Sequence, residues 1–507
     1  MQQPVFFQPA GASVGDVIPW QEHGVFSLFY LHEVRRSPKP GTPWHLATTA
    51  DLVHFDDEGL AFAAGDAQAP DFNAYTGSIV RDADGRHHLF YTGQNPRRLG
   101  PDGLPLQLVM HATSDDAMTT WQRHPEHTFG APAGYESADW RDPFVFRDEE
   151  AGLWRMLVAA RHTSGPERRR GVIAQCVSSD LVSWEPVQPF WDPRRYITHE
   201  CPEVFQWGDW WYLVYSEFSE SFTTRYRMSR SLHGPWQVPP HDSIDGRAYY
   251  AAKSAERDGR RFFFGWIASR EGSRDDGAWQ WAGTMSVLEA HQNADGTLRF
   301  GFPAEFVESF DDDESIAFVD AETGDPVGSD GATIRLHAPD GYRAAISDAN
   351  APRSFHVALT FDIAADTTEC GVLLRAGDDG DAGYAIRLEP KRGRMVFDRW
   401  PRRRTGDGQW EVSGDVPFAI ELERPCDLPP GEHTLEVVVD GDICVANLDG
   451  RVSLSTRIYD RPSGRLGVFV GEGAVSVNGC RIGTRRVAEP IAEPVGAGAS
   501  AAASITP

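Results

Sequence analysis

Phe26-Ser27-Leu28-Phe29-Tyr30 decides the architecture, because the chain writes it again at intervals of about sixty residues. The later versions are His88-Leu89-Phe90-Tyr91, Trp154-Arg155-Met156-Leu157-Val158, Trp211-Tyr212-Leu213-Val214-Tyr215 and Phe262-Phe263-Phe264-Gly265-Trp266. A turn stands before each: His23-Gly24, Asp84-Gly85, Ala151-Gly152, Gly208-Asp209 and Asp258-Gly259. In four units a second element follows, from Thr49 to Phe55, Ser114 to Trp121, Ser179 to Trp184 and Ser229 to Trp236. Short strands and Gly/Asp turns at this period predict a β-propeller with four strands per blade. The five units end before residue 305 and predict five blades.

Upstream of each quoted strand lies another short segment, the innermost strand of its blade. These segments are Gly15-Asp16-Val17-Ile18, Tyr75-Thr76-Gly77-Ser78, Trp140-Arg141-Asp142-Pro143, His199-Glu200-Cys201-Pro202 and Tyr249-Tyr250-Ala251-Ala252-Lys253. Inner strands surround the axis, so their ends face one funnel. Three of the five carry a carboxylate, Asp16, Asp142 and Glu200. Carboxylates are poor packing residues unless partnered, so this placement points to a site. Converging acids are what glycoside hydrolysis requires.

The remaining composition bounds the function. With 507 residues the chain exceeds one typical domain. A net charge of −26 argues against nucleic acid and anionic membrane as partners. No basic stretch followed by an apolar core opens the sequence at Met1-Gln2-Gln3-Pro4, and six scattered cysteines lack C-x-x-C spacing. The expectation is a cytoplasmic protein with reduced thiols. Phosphate-loop and H-E-x-x-H motifs are absent, and His87-His88 cannot share a strand face, so no cofactor or metal is expected.

After Phe302-Pro303-Ala304-Glu305 the pattern changes to strands separated by Gly/Asp/Pro turns, from Phe355 to Val470. The predicted fold is therefore all-β. A five-bladed β-propeller (1–308) is followed by a C-terminal antiparallel β-sandwich (315–485) and a disordered Ala/Pro/Gly-rich tail (486–507).

Trp140-Arg141-Asp142-Pro143-Phe144 and Glu200-Cys201-Pro202-Glu203-Val204-Phe205 resemble the R-D-P and E-C-P-D motifs of glycoside hydrolase family 32, the β-fructofuranosidases, invertases and fructanases. Tyr75-Thr76-Gly77-Ser78 is similar to that family's F-S-G-S. Asp51-Leu52-Val53-His54-Phe55, Tyr91-Thr92-Gly93, Trp281-Ala282-Gly283-Thr284-Met285 and Ser453 to Tyr459 follow in the family's order. The resemblance implies a retaining hydrolase of terminal β-D-fructofuranosides, acting on sucrose or a short fructo-oligosaccharide. It assigns Asp16 as nucleophile, Glu200 as acid/base and Asp142 as transition-state stabiliser. Arg141, Tyr75, Thr76, Ser78, Trp44, Lys253 and Trp281 become candidates for substrate binding, and Trp20 for lining the pocket. Glu203, three residues from Glu200 on a strand, is read as structural. Cys201 is expected to point away from Glu200 and pack between blades.

Two departures bear on the substrate. Ser13-Val14-Gly15-Asp16-Val17-Ile18-Pro19 replaces the usual W-M-N-D-P-N-G, and Lys253 stands where the family carries an amide. Lys253 either contacts an acidic leaving group or pairs with a funnel carboxylate. The same intermediate passed to a sugar acceptor makes a fructosyltransferase, and a sugar-binding propeller without activity is the reading from another class. A homo-oligomer stays open.

Overall fold

The computed structural model describes residues 4–328, 333–400 and 421–485. The predicted tail, 486–507, lies outside the described residues. Five antiparallel meanders follow one another along the first three hundred residues. Their inner strands are Ser13–Glu22, Asn73–Arg81, Tyr135–Asp148, Glu200–Trp207 and Tyr249–Arg257. Each inner strand neighbours the next in chain order, and the fifth returns to lie beside the first. Ring closure is made near the amino terminus: Val14 pairs with Gly283 and Phe7 bridges Met285, both on the third strand of the fifth meander.

The turns read from sequence are the hairpins of this ring. His23-Gly24 and Asp258-Gly259 each have positive φ at both residues, the tight loop whose twist matches the strands it joins. The second repeated element is a turn between third and fourth strands. Asp51 Oδ1 accepts the amides of Val53 and His54, and Thr49 Oγ1 that of Leu52. Asp180 and Ser178 do the same for Val182, Ser183 and Leu181.

The strands beside the axis are apolar on both faces because each sheet is covered twice. Phe26, Leu28 and Tyr30 pack with Phe262 and Phe264 of the fifth meander, whereas Phe29 and Leu31 pack with Leu89 and Tyr91 of the second. Alternation alone would have marked a half-exposed sheet.

From Phe310 onward the strands form a sandwich-like sheet. Arg465–Asn478 stitches its layers together. Its first half pairs with Glu369–Ala376, and its end pairs with Ser354–Ile363. The corner falls at Glu472 and Gly473, where φ is 49° and 155°. A Cβ on Gly473 would stand 2.4 Å from Thr367 Cα, so only glycine fits.

The strand Val452–Arg457 docks this sheet on the propeller through buried polar contacts. Ser455 donates its amide and hydroxyl to Asp245 at 2.9 and 2.7 Å. Arg457 donates to the carbonyls of Ala268 and Ile267 and to Thr284 Oγ1. Among the described residues no helix is long and apolar enough to cross a membrane.

Candidate active site

Every inner strand carries an irregularity at the same height. Against their neighbouring strands, Gly15-Asp16, Thr76, Asp142-Pro143, Cys201-Pro202 and Ala251-Ala252 are the residues left over. A bulge bends its strand and re-aims the side chains on either side of it. In three strands the first bulge residue is held in the left-handed region without being glycine: Asp142 (φ 56°), Cys201 (φ 49°) and Ala251 (φ 53°). Such strain gathers at functional sites. Aligned on the bulge, Glu200 precedes it, Asp142 is its first residue and Asp16 its second. Thus acids from three strands reach one pocket from adjacent heights.

That pocket, about 1000 Å³, is lined by Asp16, Asp142 and Glu200 together with Arg141, Tyr75 and Trp281. Arg141 spans the acids. Its Nη2 donates to Glu200 Oε1 at 3.0 Å, and its Nε stands 3.8 Å from Asp142 Oδ2. Asp139 holds its other arm. The guanidinium is permanently charged and planar, so it fixes carboxylates by geometry as well as charge. Tyr250 OH donates to Glu200 Oε2 at 2.6 Å, and Trp266 Nε1 donates to Asp16 Oδ1 at 3.0 Å. Asp142 Oδ2 accepts the Cys201 amide at 2.9 Å. Its own amide donates to Thr92 Oγ1, which in turn donates to the Thr76 carbonyl.

Burial drives the titration of all three acids. Asp16 is pushed up to about 7 by burial and then by Asp142, with the Trp266 hydrogen bond opposing. Burial also raises Glu200 and Asp142, and Arg141 opposes it in both. Burial favours the protonated form of a carboxyl, the form that can donate.

Several expected binding residues do other work. Trp44 is wholly buried, and its indole donates to the Ala74 carbonyl between two meanders. Ser78 is a pin: its hydroxyl donates to the Pro143 carbonyl and accepts the Val145 amide. Thr76 is buried at the bulge. Trp20 sits edge-on to His87, outside the pocket lining. Lys253 does not line the pocket either. It crosses the axis from the fifth inner strand to the second, where Nζ donates to the Gly77 carbonyl at 2.6 Å. From below, its charge draws the Asp16 and Asp142 carboxyls downward in pKa.

Cys201 also departs from expectation. The left-handed bulge turns it toward the pocket, where Sγ lies 3.7 Å from Asp16 Oδ2. Burial, reinforced by Asp16 and Asp142, holds its thiol protonated, which disarms it as a nucleophile. Glu203 faces away as expected, accepting the Ser254 amide and hydroxyl. Tyr250 and Trp266 lie inside apolar strands, a pattern that does not mark their polar tips. Gly15 has a structural reason: a Cβ there would stand 2.5 Å from the Trp281 ring, which packs beside Asp16's strand.

The model for the N-terminal domain of glycosyl hydrolases family 32 matches residues 17–298, beginning one residue after Asp16. The model for that family's C-terminal domain matches residues 333–483. Sucrose-6-phosphate hydrolase of Escherichia coli is 29% identical over 289 residues, 54% of this chain and 58% of that protein. Raffinose invertase of Escherichia coli is 25% identical over 470 residues, covering 89% of this chain and 88% of its own. In structure, sucrose-6-phosphate hydrolase from Lactobacillus gasseri superposes with a TM-score of 0.72 at 17% identity, over 96% of this chain and 93% of that one. Fructan 1-exohydrolase IIa from Cichorium intybus, solved in complex with 1-kestose, gives 0.69 at 18% identity over 95% and 97%. With its N-terminal match alone covering more than half of the sequence, the chain belongs to glycosyl hydrolase family 32.

Proposed function

We propose that the protein hydrolyses terminal β-D-fructofuranosides with retention of configuration, through a fructosyl ester on Asp16. The observation that carries this reading is the meeting of Asp16, Asp142 and Glu200 at one bulge level of a single pocket. An Asp16 oxygen attacks C2 of the fructosyl unit while the bond from C2 to the leaving oxygen breaks. Glu200 gives its proton to that oxygen. In the second half, Glu200 takes a proton from water, the water oxygen bonds to C2, and the ester releases Asp16. Asp142, held by Arg141 and the Cys201 amide, accepts hydrogen bonds from ring hydroxyls as positive charge grows on the sugar. Trp281 offers an apolar face to the ring.

The leaving group is read from the loop between Val25–Glu33 and Trp44–Thr49. It brings Arg35, Arg36 and Lys39 to the pocket wall, with Arg35 Nη2 donating to the Trp281 carbonyl at 2.8 Å. Lys39 is paired with Glu33 at 2.9 Å, which leaves the guanidiniums of Arg35 and Arg36 to favour a phosphorylated leaving sugar, and several relatives carry the name sucrose-6-phosphate hydrolase. A charged sugar of this kind does not cross a bilayer unaided, so a cytoplasmic enzyme fits it.

The test is product analysis with sucrose, sucrose-6-phosphate, kestose and levanbiose. Free fructose is the expected product, with kcat/KM higher for the phosphorylated substrate and that preference lost in Arg35→Ala/Arg36→Ala. Asp16→Ala and Glu200→Gln should each lower turnover by about 10³-fold or more. Silence on all four sugars, or full activity in either variant, overturns the assignment.

A further inference from the structure

Away from the pocket, the outer part of the second meander gathers four imidazoles. His88, on the strand His87–Leu99, has Nδ1 3.0 Å from His111 Nε2, on Pro105–Ser114. His111 Nδ1 stands 2.9 Å from His127 Nδ1, and His88 Nε2 stands 3.1 Å from Asp82 Oδ2. A carboxylate only accepts, and a neutral imidazole donates once. The network therefore assigns every proton in the row. His88 donates to Asp82, His111 donates to His88, and His127 donates to His111 from Nδ1. The lone pair of His127 is left on Nε2, the atom nearest Glu126.

His124 stands beside it, its ring stacked on that of His127 with centroids 5.0 Å apart. Its Nε2 is engaged with the Thr113 hydroxyl at 2.8 Å, which turns Nδ1 toward Glu126. Glu126 Oε1 lies 3.4 Å from His124 Nδ1 and 3.8 Å from His127 Nε2. Those separations exceed the roughly 2.7–2.9 Å of a charge-assisted hydrogen bond. The first equals the separation of two ligand atoms on one ion, since atoms about 2.1 Å from a tetrahedral metal stand about 3.4 Å apart, and the second is somewhat longer. Ligand atoms of all three residues lie within 4.8 Å of one another.

We propose that His124, Glu126 and His127 bind a divalent transition-metal ion, with the Asp82–His88–His111 row as its orienting outer shell. Two imidazoles and one carboxylate suit Zn²⁺ or Co²⁺ and disfavour Mg²⁺ or Ca²⁺. A metal-bound imidazole characteristically donates its other N–H to a fixed acceptor, as His127 does to His111. The three ligands sit on and just before the short turn Pro125–His127, which follows the outermost strand of the meander, Gln122–Arg123. None of them lines the pocket of the acids. The ion would staple this outer turn and leave the chemistry alone.

The experiment uses the full chain without a polyhistidine tag, stripped by chelator and titrated with Co²⁺ while visible absorption is followed. One saturable equivalent with a d–d band is expected. The band should vanish in His124→Ala/His127→Ala, and affinity should fall at least tenfold in Glu126→Gln, whose side chain is 63% exposed. Zn²⁺ should raise Tm in the wild type and leave the double variant unmoved, while fructoside turnover survives chelation in both. Absence of a saturable equivalent, or an unchanged band in the double variant, overturns the site.

Discussion

Trp266 donates its indole N–H to Asp16 across the seam where the propeller ring closes, at 3.0 Å. The acceptor is a carboxyl that burial pushes up to about 7. A hydrogen bond to the charged form lowers a pKa, so this contact works against the burial that would leave Asp16 protonated, the form that cannot attack in the mechanism we propose. Trp266→Phe should move the acidic limb of kcat/KM to higher pH, with the plateau reached above neutrality. A limb that stays in place would mean that the indole packs without tuning the acid.

The same shift makes a prediction about stability. Asp16 is raised in the folded state from an ordinary 3.8. Its contribution to stability is therefore fully present below pH 3.8 and is lost as pH rises through about 7. Asp16→Asn, which cannot ionise, should melt higher than the wild type at pH 8, with the gap shrinking toward pH 4. Thermal denaturation across that range checks the sign, and a gap that grows on acidification would contradict it.

Tyr250 holds the other acid. Its hydroxyl donates to Glu200 Oε2 at 2.6 Å and favours the ionised carboxylate, opposing burial. Tyr250→Phe should raise the pKa of Glu200 and carry the basic limb of kcat upward. Turnover at the optimum should drop by about tenfold, the scale of one charge-assisted hydrogen bond. A pH–rate profile with no displaced limb would reduce Tyr250 to a packing residue.

Cys201 tests the division of labour at the fourth bulge. Its amide fixes Asp142, and its protonated thiol contributes a weak donor near Asp16. Cys201→Ala keeps the amide and should lose no more than about fivefold in kcat/KM. A thousandfold loss would show that the sulfur takes part in the chemistry.

Arg457 carries a prediction about the sandwich. It supplies donors to Ile267 O, Ala268 O and Thr284 Oγ1 while 3% exposed. Arg457→Met strands those acceptors and should cost about 2–4 kcal/mol in urea denaturation. An unchanged midpoint would mean that the Arg457 contacts are dispensable beside those of Ser455 with Asp245.

The ring was legible because its strands, turns and acids recur in phase, and Phe26 to Tyr30 needed only comparison with Phe262 to Trp266. The motif from Ser453 to Tyr459 was visible, but its role was not. Only coordinates bring Ser455 to Asp245 and Arg457 to the fifth meander. The bulges were illegible for a different reason. An extra residue in a strand changes which way Cys201 points without altering any local pattern, and period-two counting sent it to the wrong face. No local pattern announces that Lys253 is long enough to cross to the Gly77 carbonyl.

The closing seam gives the protein an order of assembly. Asp16 sits on a strand with two partners, the adjacent Val25–Glu33 and Trp279–Gln292, which is translated more than two hundred and fifty residues later. The hairpin with Val25–Glu33 forms from neighbouring sequence, but the Trp266 indole that holds the Asp16 carboxyl comes only with the last meander. A chain ending before that point lacks both Trp266 and the closing strand, so it is expected to be inactive.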